Sequence, residues 1–179
     1  MPALHPDQTA GLETRQDVDR QRACKRLVRM QALKAAGVSA LPVAGVDLFI
    51  NGRLLARTLA QINAAYGLSP QQIAQLPAPT RSRLEHRVRE IGSYLIGRVV
   101  TQAAVFSAAK AIGLRLGAQQ AAKLAPVAGL AVSAALSGWL FKRLCDRHIE
   151  QCEQVREAIP ELPAPPPVAR LTFDPGTST

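Results

Sequence analysis

Cysteine and histidine residues near the C-terminus are the first groups in the sequence that could do chemistry. Cys145, His148 and Cys152 are spaced i, i+3 and i+7, so on a helix they share one face. His148 and Cys152 could bind one metal ion, but Cys145 and Cys152 would lie about 10.5 Å apart along the helix axis, too far to share it. Cys24 or His86 would have to complete such a site from another helix. We therefore predict packed thiols and a histidine at a polar edge, with no metal and no cofactor.

The sequence offers little support for catalysis. It contains neither G-x-S-x-G nor H-E-x-x-H. Asp47 is the only acidic residue from Arg20 to Leu84, a stretch that holds ten Lys and Arg residues. We interpret Asp47 as a helix N-cap whose carboxylate accepts backbone N–H bonds, with a buried ion pair to Arg53, Arg57 or a first-helix arginine as the alternative. No second carboxylate or histidine lies near it in sequence, so we predict a non-enzymatic protein with no catalytic residue.

Helices must position these residues. Helix signals dominate, β-branched residues are scattered, and no turn dipeptide separates alternating apolar runs. We predict an all-α bundle of about four main helices that pack through Ala, Gly and Ser. The predicted helices cover about 14–36, 47–66, 80–116 and 127–157, with a short helix after the capping box at Ser69. Gly67 is predicted to end the second helix. The predicted apolar stripes are Cys24, Leu27, Val28 and Ala35 in the first helix; Leu48, Leu55, Leu59, Ile62 and Tyr66 in the second; and Leu84, Val88, Ile91 and Leu95 in the third.

The chain is expected to hold one domain. Its 179 residues divide into a flexible segment 1–13, a helical domain 14–158 and a proline-rich disordered tail 159–179, because six of the 13 prolines fall from Pro160 to Pro175.

Three cysteines without a C-x-x-C pair favour a reducing compartment, and the N-terminus lacks the features of a cleaved signal peptide. We expect the cytoplasm or the cytoplasmic face of the inner membrane.

The charge favours an anionic partner. Lys and Arg total 22 against 13 Asp and Glu, giving +9 and a pI near 10.3. An anionic membrane, a nucleic acid or an acidic protein surface would each fit. Nucleic acid is the weakest of these, since aromatics are only 4% and stacking platforms are missing. The predicted contact residues share one face of the first helix: Arg15, Arg22, Arg26 and Arg29.

An uncharged segment raises the question of a membrane. Residues 124–141 carry no charge and would span about 27 Å as a helix, slightly less than a hydrocarbon core of about 30 Å. Gly129, Ser133 and Ser137 form a small-residue strip that predicts a close helix–helix seam. Trp139 resembles an interfacial anchor. Membrane insertion, peripheral association and a soluble buried helix all stay open on this evidence.

Two blocks resemble the domain of unknown function 697 family (YcjF-like proteins). The first is AAGVSALPVAGVDLFINGRLLARTLAQINAAYGLS, with a Pro-x-x-Gly-x-Asp turn at Pro42, Gly45 and Asp47 and a terminal Tyr66-Gly67. The second is APVAGLAVSAALSGWLFKRL, a Pro-x-x-Gly turn that runs into a small-residue helix. Together the blocks cover about residues 32–150.

The resemblance implies a helical, membrane-associated interaction module. Some members of that family are fused to small GTPases or occur beside them, so it implies a GTPase partner. The family has no established catalytic residues. This chain lacks G-x-x-x-x-G-K-[S/T], so a GTPase would have to act in trans. A soluble basic module that binds nucleic acid or an acidic protein is the alternative.

Overall fold

The protein is all-α. The computed structural model describes residues 6–39, 46–93, 95–98, 100–101 and 130–168, with side chains described for 15–37, 52–93, 95–98, 100–101 and 138–168. These residues form five helices and no strand: α1 (Pro6–Ser39), α2 (Val46–Ala65), α3 (Pro70–Ala74), α4 (Ala78–Ile91) and α5 (Leu130–Ala158). The predicted helical bundle is confirmed.

The two longest helices pack against each other and run antiparallel. Gln21 of α1 bonds Glu153 of α5, and Gly138, in the first half of α5, lies against Ala32 and Ala36 further along α1. The helix-spaced residues that the sequence placed opposite the arginine row form this contact and are fully buried: Cys24, Leu27, Val28 and Ala35. The polar and apolar faces of α1 were therefore predicted correctly. Its start was not, because the helix begins at Pro6 and not near residue 14.

Helix α2 packs on both α1 and α5. Its predicted stripe is buried at Leu55, Leu59, Ile62 and Tyr66, while the side chain of Leu48 lies outside the described residues. Gly67 follows the helix with a φ of 70°, a conformation that glycine adopts without steric strain.

The capping box that begins α3 is confirmed. The Ser69 side chain accepts a bond from the Gln72 backbone N–H, and the Gln72 side chain accepts one from the Ser69 backbone N–H. Pro70 occupies the first helical turn, where the absence of its N–H has no consequence. This short-range pattern is readable from sequence because all its partners lie within three residues.

The predicted long helix 80–116 is wrong. Helix α4 begins at Ala78 and ends at Ile91, where Gly92 adopts a φ of 70°. The Gly92 N–H bonds the Arg89 carbonyl and the Ser93 N–H bonds the Val88 carbonyl, which satisfies the last turn. The chain then turns again, and the Gly97 N–H bonds the Leu68 carbonyl at 3.2 Å. The described residues 93–101 carry no helix.

The first part of the proline-rich tail lies on the bundle. Residues 159–168 extend the chain beyond α5 without a further α-helix, yet Ile159 and Leu162 are buried. Glu161 pairs with Arg83 of α4 at 2.8 Å, and the Pro163 carbonyl accepts from Arg156 at 3.2 Å. Two buried apolar side chains and two polar contacts thus hold this stretch against the bundle.

Helix α5 extends to Ala158, one residue beyond the prediction. Among the helices the structure describes, none combines the length and the apolar character needed to cross a bilayer. Residues 124–129 of the uncharged segment lie outside the described residues.

Candidate functional site

The predicted contact arginines lie on the solvent-facing side of α1. Arg15, Arg22, Arg26 and Arg29 are all exposed. Arg22 pairs with Asp19 at 3.6 Å, with both side chains mostly in solvent. Such a surface pair contributes little to stability, so it leaves Arg22 available to an external anion at small cost.

Exposed apolar side chains continue this face toward the end of α1. Leu33 lies four residues after Arg29 and is 74% exposed, and Met30 beside it is about half exposed. Trp139 of α5, which follows the glycine that packs on α1, is 53% exposed. Because Gly138 lies against Ala32 and Ala36 of α1, we infer that Trp139 borders the same surface. We call this surface the α1–α5 edge, defined by Arg22, Arg26, Arg29, Leu33 and Trp139. Leu33 and Met30 were not predicted to lie on this surface. Their position four residues after Arg29 and Arg26, respectively, does indicate the same helix face.

A close approach of α1 and α5 supports this edge. A Cβ placed on Gly138 would lie 3.2 Å from the carbonyl oxygen of Ala32 and 3.2 Å from the Cβ of Ala36. The two backbones are thus close enough that glycine fits without displacing its neighbours. Of the predicted seam residues, Gly129 lies outside the described residues, as do the side chains of Ser133 and Ser137.

The side chain of Asp47 also lies outside the described residues. Helix α2 begins one residue earlier, at Val46, which places Asp47 in its first turn. The N-cap assignment therefore stays a prediction.

His148 belongs to a buried polar cluster. Its Nε2 lies 2.8 Å from the Oδ1 of Asn63, and the Asn63 Nδ2 donates to the Leu95 carbonyl at 2.9 Å. Because the amide nitrogen is committed to Leu95, Oδ1 faces the imidazole and Nε2 must carry the proton. The Cys152 thiol also approaches Asn63 Oδ1, at 3.8 Å. The cluster joins α2, α5 and the turn after α4.

Burial keeps this histidine neutral. Desolvation lowers the pKa of His148 to about 4, partly opposed by the side chain of Gln151. Its Nδ1 is buried without a hydrogen bond of normal geometry to the described residues. At neutral pH the ring is a structural hydrogen-bond donor to Asn63, and it is closed to solvent.

The thiols are equally unsuited to nucleophilic chemistry. Burial raises the pKa of Cys24 to about 12 and moves the pKa values of Cys145 and Cys152 upward as well. A nucleophile or metal ligand must be a thiolate, which these sites disfavour at neutral pH. In the part of the chain that the structure describes, no three His, Cys, Asp or Glu side chains are placed to hold a metal ion.

A cleft lies between α1 and the last turns of α5, beside Arg20 and Arg156 and away from Leu33 and Trp139. Its volume is about 520 Å³, and α1, Tyr66, α5 and residues 160–165 line it. Tyr66 donates its hydroxyl proton to Glu153 at 2.8 Å, and Gln21 donates to the second Glu153 oxygen at 3.2 Å. Burial and this bond to Glu153 raise the pKa of Tyr66, so the phenol stays protonated. Arg20 and Arg156 complete the polar wall.

Comparisons with known proteins do not extend this picture. No family model matches the chain, and neither a curated protein nor a solved structure matches it. The resemblance to the domain of unknown function 697 family is therefore carried by the quoted motifs alone.

Proposed function

We propose that the protein is a non-enzymatic helical interaction module that associates peripherally with an anionic membrane through the α1–α5 edge. The observation that carries the proposal is the combination of an exposed arginine row with exposed Leu33 and Trp139. Interfacial surfaces pair cations for the headgroups with apolar side chains for the acyl boundary. A nucleic acid would use the arginines but has no use for exposed Leu33.

The arginines and the apolar side chains of the α1–α5 edge determine how strongly we expect the protein to bind an anionic membrane. Each Lys or Arg close to an anionic surface adds about 1 kcal/mol. Inserting a Leu side chain adds about 1.5–3 kcal/mol. The arginines and Leu33 together therefore suffice for reversible binding, which is the behaviour of a peripheral protein.

Vesicle flotation tests the proposal. The full chain should float with vesicles of phosphatidylcholine and phosphatidylglycerol and stay behind with phosphatidylcholine alone. The double variant Arg26→Gln/Arg29→Gln should bind about 30-fold more weakly, the equivalent of about 2 kcal/mol. Its matched control is Arg83→Gln/Arg89→Gln, which removes the same charge from exposed positions of α4.

Three outcomes separate the membrane proposal from its alternative. Equal losses in both double variants would mean that net charge alone drives binding, against a defined edge. Leu33→Ser should weaken vesicle binding but leave any binding to nucleic acid unchanged. Tight, salt-sensitive binding to nucleic acid without vesicle binding would establish the soluble alternative instead.

We further propose a small GTPase as the protein partner, acting in trans. The support is the resemblance described above, whose family includes members fused to GTPases. Gene neighbourhood gives the direct check: a GTPase gene should adjoin this gene across related genomes. Its consistent absence would contradict the partner proposal and leave the membrane proposal standing.

A further inference from the structure

The cleft at the far end of the bundle has the dimensions of a ligand site. Its volume of about 520 Å³ falls within the range of about 300–1,000 Å³ that small-molecule pockets occupy. It lies about a dozen residues along α1 from Leu33, which is about 18 Å at 1.5 Å per residue. The cleft is therefore distant from Leu33, although Arg22, the first residue of the α1–α5 edge, is only two residues from Arg20.

Arg20 is the unusual residue of this cleft. Its side chain is 1% exposed and pairs with Asp17, which is 68% exposed. The Arg20 Nε is buried and has no hydrogen-bond partner in the described part of the chain. A guanidinium removed from water normally has all its donors satisfied, because a buried donor without an acceptor loses its hydration for no return. The Arg20 Nε–H is thus a hydrogen-bond donor without an acceptor in the described part of the fold.

A second arginine faces the same space. Arg156 donates to the carbonyls of Tyr66 at 3.0 Å and Pro163 at 3.2 Å, which are neutral acceptors. Burial and the nearby charge of Arg20 lower the pKa of Arg156, with Asp17 opposing the shift. The two oxygens of Glu153 are engaged by Tyr66 and Gln21. Both arginines line the cleft, and the charge of Arg20 acts unfavourably on that of Arg156.

An oxyanion placed between the two guanidinium groups would remove this repulsion. Arginine binds carboxylate and phosphate through paired, charge-assisted hydrogen bonds. The remaining wall offers apolar surface from Val18, Leu162 and Pro165. Asp17, Glu153 and Glu157 also line the cleft, and these acids disfavour a ligand of high negative charge.

We propose that this cleft binds a small molecule that carries one carboxylate or phosphate group between Arg20 and Arg156, with its apolar part against Val18 and Leu162. The residues 160–165 form one wall of the site. Arg156 has a second role, because its bonds to Tyr66 and Pro163 hold that wall in place.

Nuclear magnetic resonance titration of the full chain tests the proposal. The probes are inorganic phosphate, N-acetylleucine and its neutral amide N-acetylleucinamide, at constant ionic strength. We expect at least one anion to shift the Arg20 Nε–H and Tyr66 ring signals saturably, while the amide does not. A response to phosphate alone identifies a phosphate ligand, and a response to N-acetylleucine alone identifies a carboxylate with an apolar body. No saturable shift with either anion, or equal shifts with the acid and its amide, would overturn the proposal.

Two variants and a matched control locate the site. Arg20→Met keeps the aliphatic stem without the guanidinium and should reduce anion affinity at least tenfold. Arg156→Lys keeps the charge but loses the paired donors, and it should also weaken binding. Arg89→Gln, at an exposed position of α4 that does not line the cleft, should leave the affinity unchanged. If Arg20→Met does not fold, Arg156→Lys decides: unchanged affinity in that variant contradicts the proposed site.

Discussion

Single buried polar residues link parts of this fold that are distant in sequence. Asn63 bonds His148 across 85 positions and the Leu95 carbonyl across 32. One amide therefore ties α2 to α5 and to the turn that follows α4. The sequence predicted the apolar neighbours of Asn63 from their spacing, but a bond between distant segments has no local signal.

Replacing this amide should be costly. Asn63→Ala leaves the Nε2–H of His148 and the Leu95 carbonyl buried without their partner, so we expect a loss of about 2–5 kcal/mol in the free energy of unfolding. Urea denaturation measures it. Gln61→Ala, on the same helix and only partly buried, is the control and should change stability by less than about 0.5 kcal/mol. Similar effects of the two substitutions would show that the Asn63 network is not formed.

The buried histidine predicts a dependence of stability on acid pH. The pKa of His148 is lowered to about 4 from an ordinary value of 6.5, so the unfolded chain binds the proton first. The neutral, buried imidazole therefore contributes its full stabilisation to the free energy of unfolding above pH 6.5. As the pH falls toward 4, the free energy of unfolding decreases by about 3 kcal/mol in total. Unfolding measured at several pH values should show this loss in the wild type and not in His148→Gln. Parallel pH profiles for the two proteins would contradict a buried neutral imidazole.

At the scale of elements, local signals were predictable and the end of α4 was not. The capping box of α3 and the turn at Gly67 involve neighbours within a few residues, and both were read correctly from the sequence. The apolar spacing of Leu84, Val88, Ile91 and Leu95 suggested an uninterrupted helix instead. Gly92 ends that helix in the left-handed conformation, and the following residues pack back on α2. The helix end was missed because tertiary contacts, which the sequence does not display, favour it.

Two glycines after α4 allow a matched test of this turn. Gly92 and Gly97 both have φ near +70°, but a Cβ on Gly92 meets nothing within 4 Å, whereas one on Gly97 would lie 2.6 Å from the Cδ1 of Ile73. Gly92→Ala should cost about 1–2 kcal/mol for the backbone conformation alone. Gly97→Ala should cost about 1 kcal/mol more, since Ile73 must leave its rotamer.

Thermal or urea unfolding of five variants measures the difference: the two glycine substitutions, Ile73→Val, and each glycine substitution combined with Ile73→Val. Ile73→Val removes the Cδ1 atom, so Gly97→Ala should be less harmful in the Ile73→Val background than in the wild type. Gly92→Ala should have the same effect in both backgrounds. Strict additivity for Gly97 and Ile73 would show that this turn does not pack on α3.

At the scale of the whole molecule, the two ends of the α1–α5 pair have different surfaces. One end exposes Leu33 and Trp139 beside the arginine row, and the other forms the polar cleft around Arg20. The net charge and the arginine spacing predict an anionic partner, and this stays a prediction; the structure shows that these arginines are exposed. The burial of Arg20 was not predictable, because arginine on an amphipathic helix is normally assigned to solvent.

Fluorescence of Trp139 tests the central proposal most directly. This residue is the only tryptophan in the chain, and it lies half exposed on the α1–α5 edge. On titration with vesicles containing phosphatidylglycerol, its emission should move to shorter wavelength and become protected from a water-soluble quencher. The change should weaken at high salt and in Arg26→Gln/Arg29→Gln. Vesicle binding by flotation with unchanged Trp139 emission would place the contact elsewhere, and no binding at all would contradict the membrane proposal.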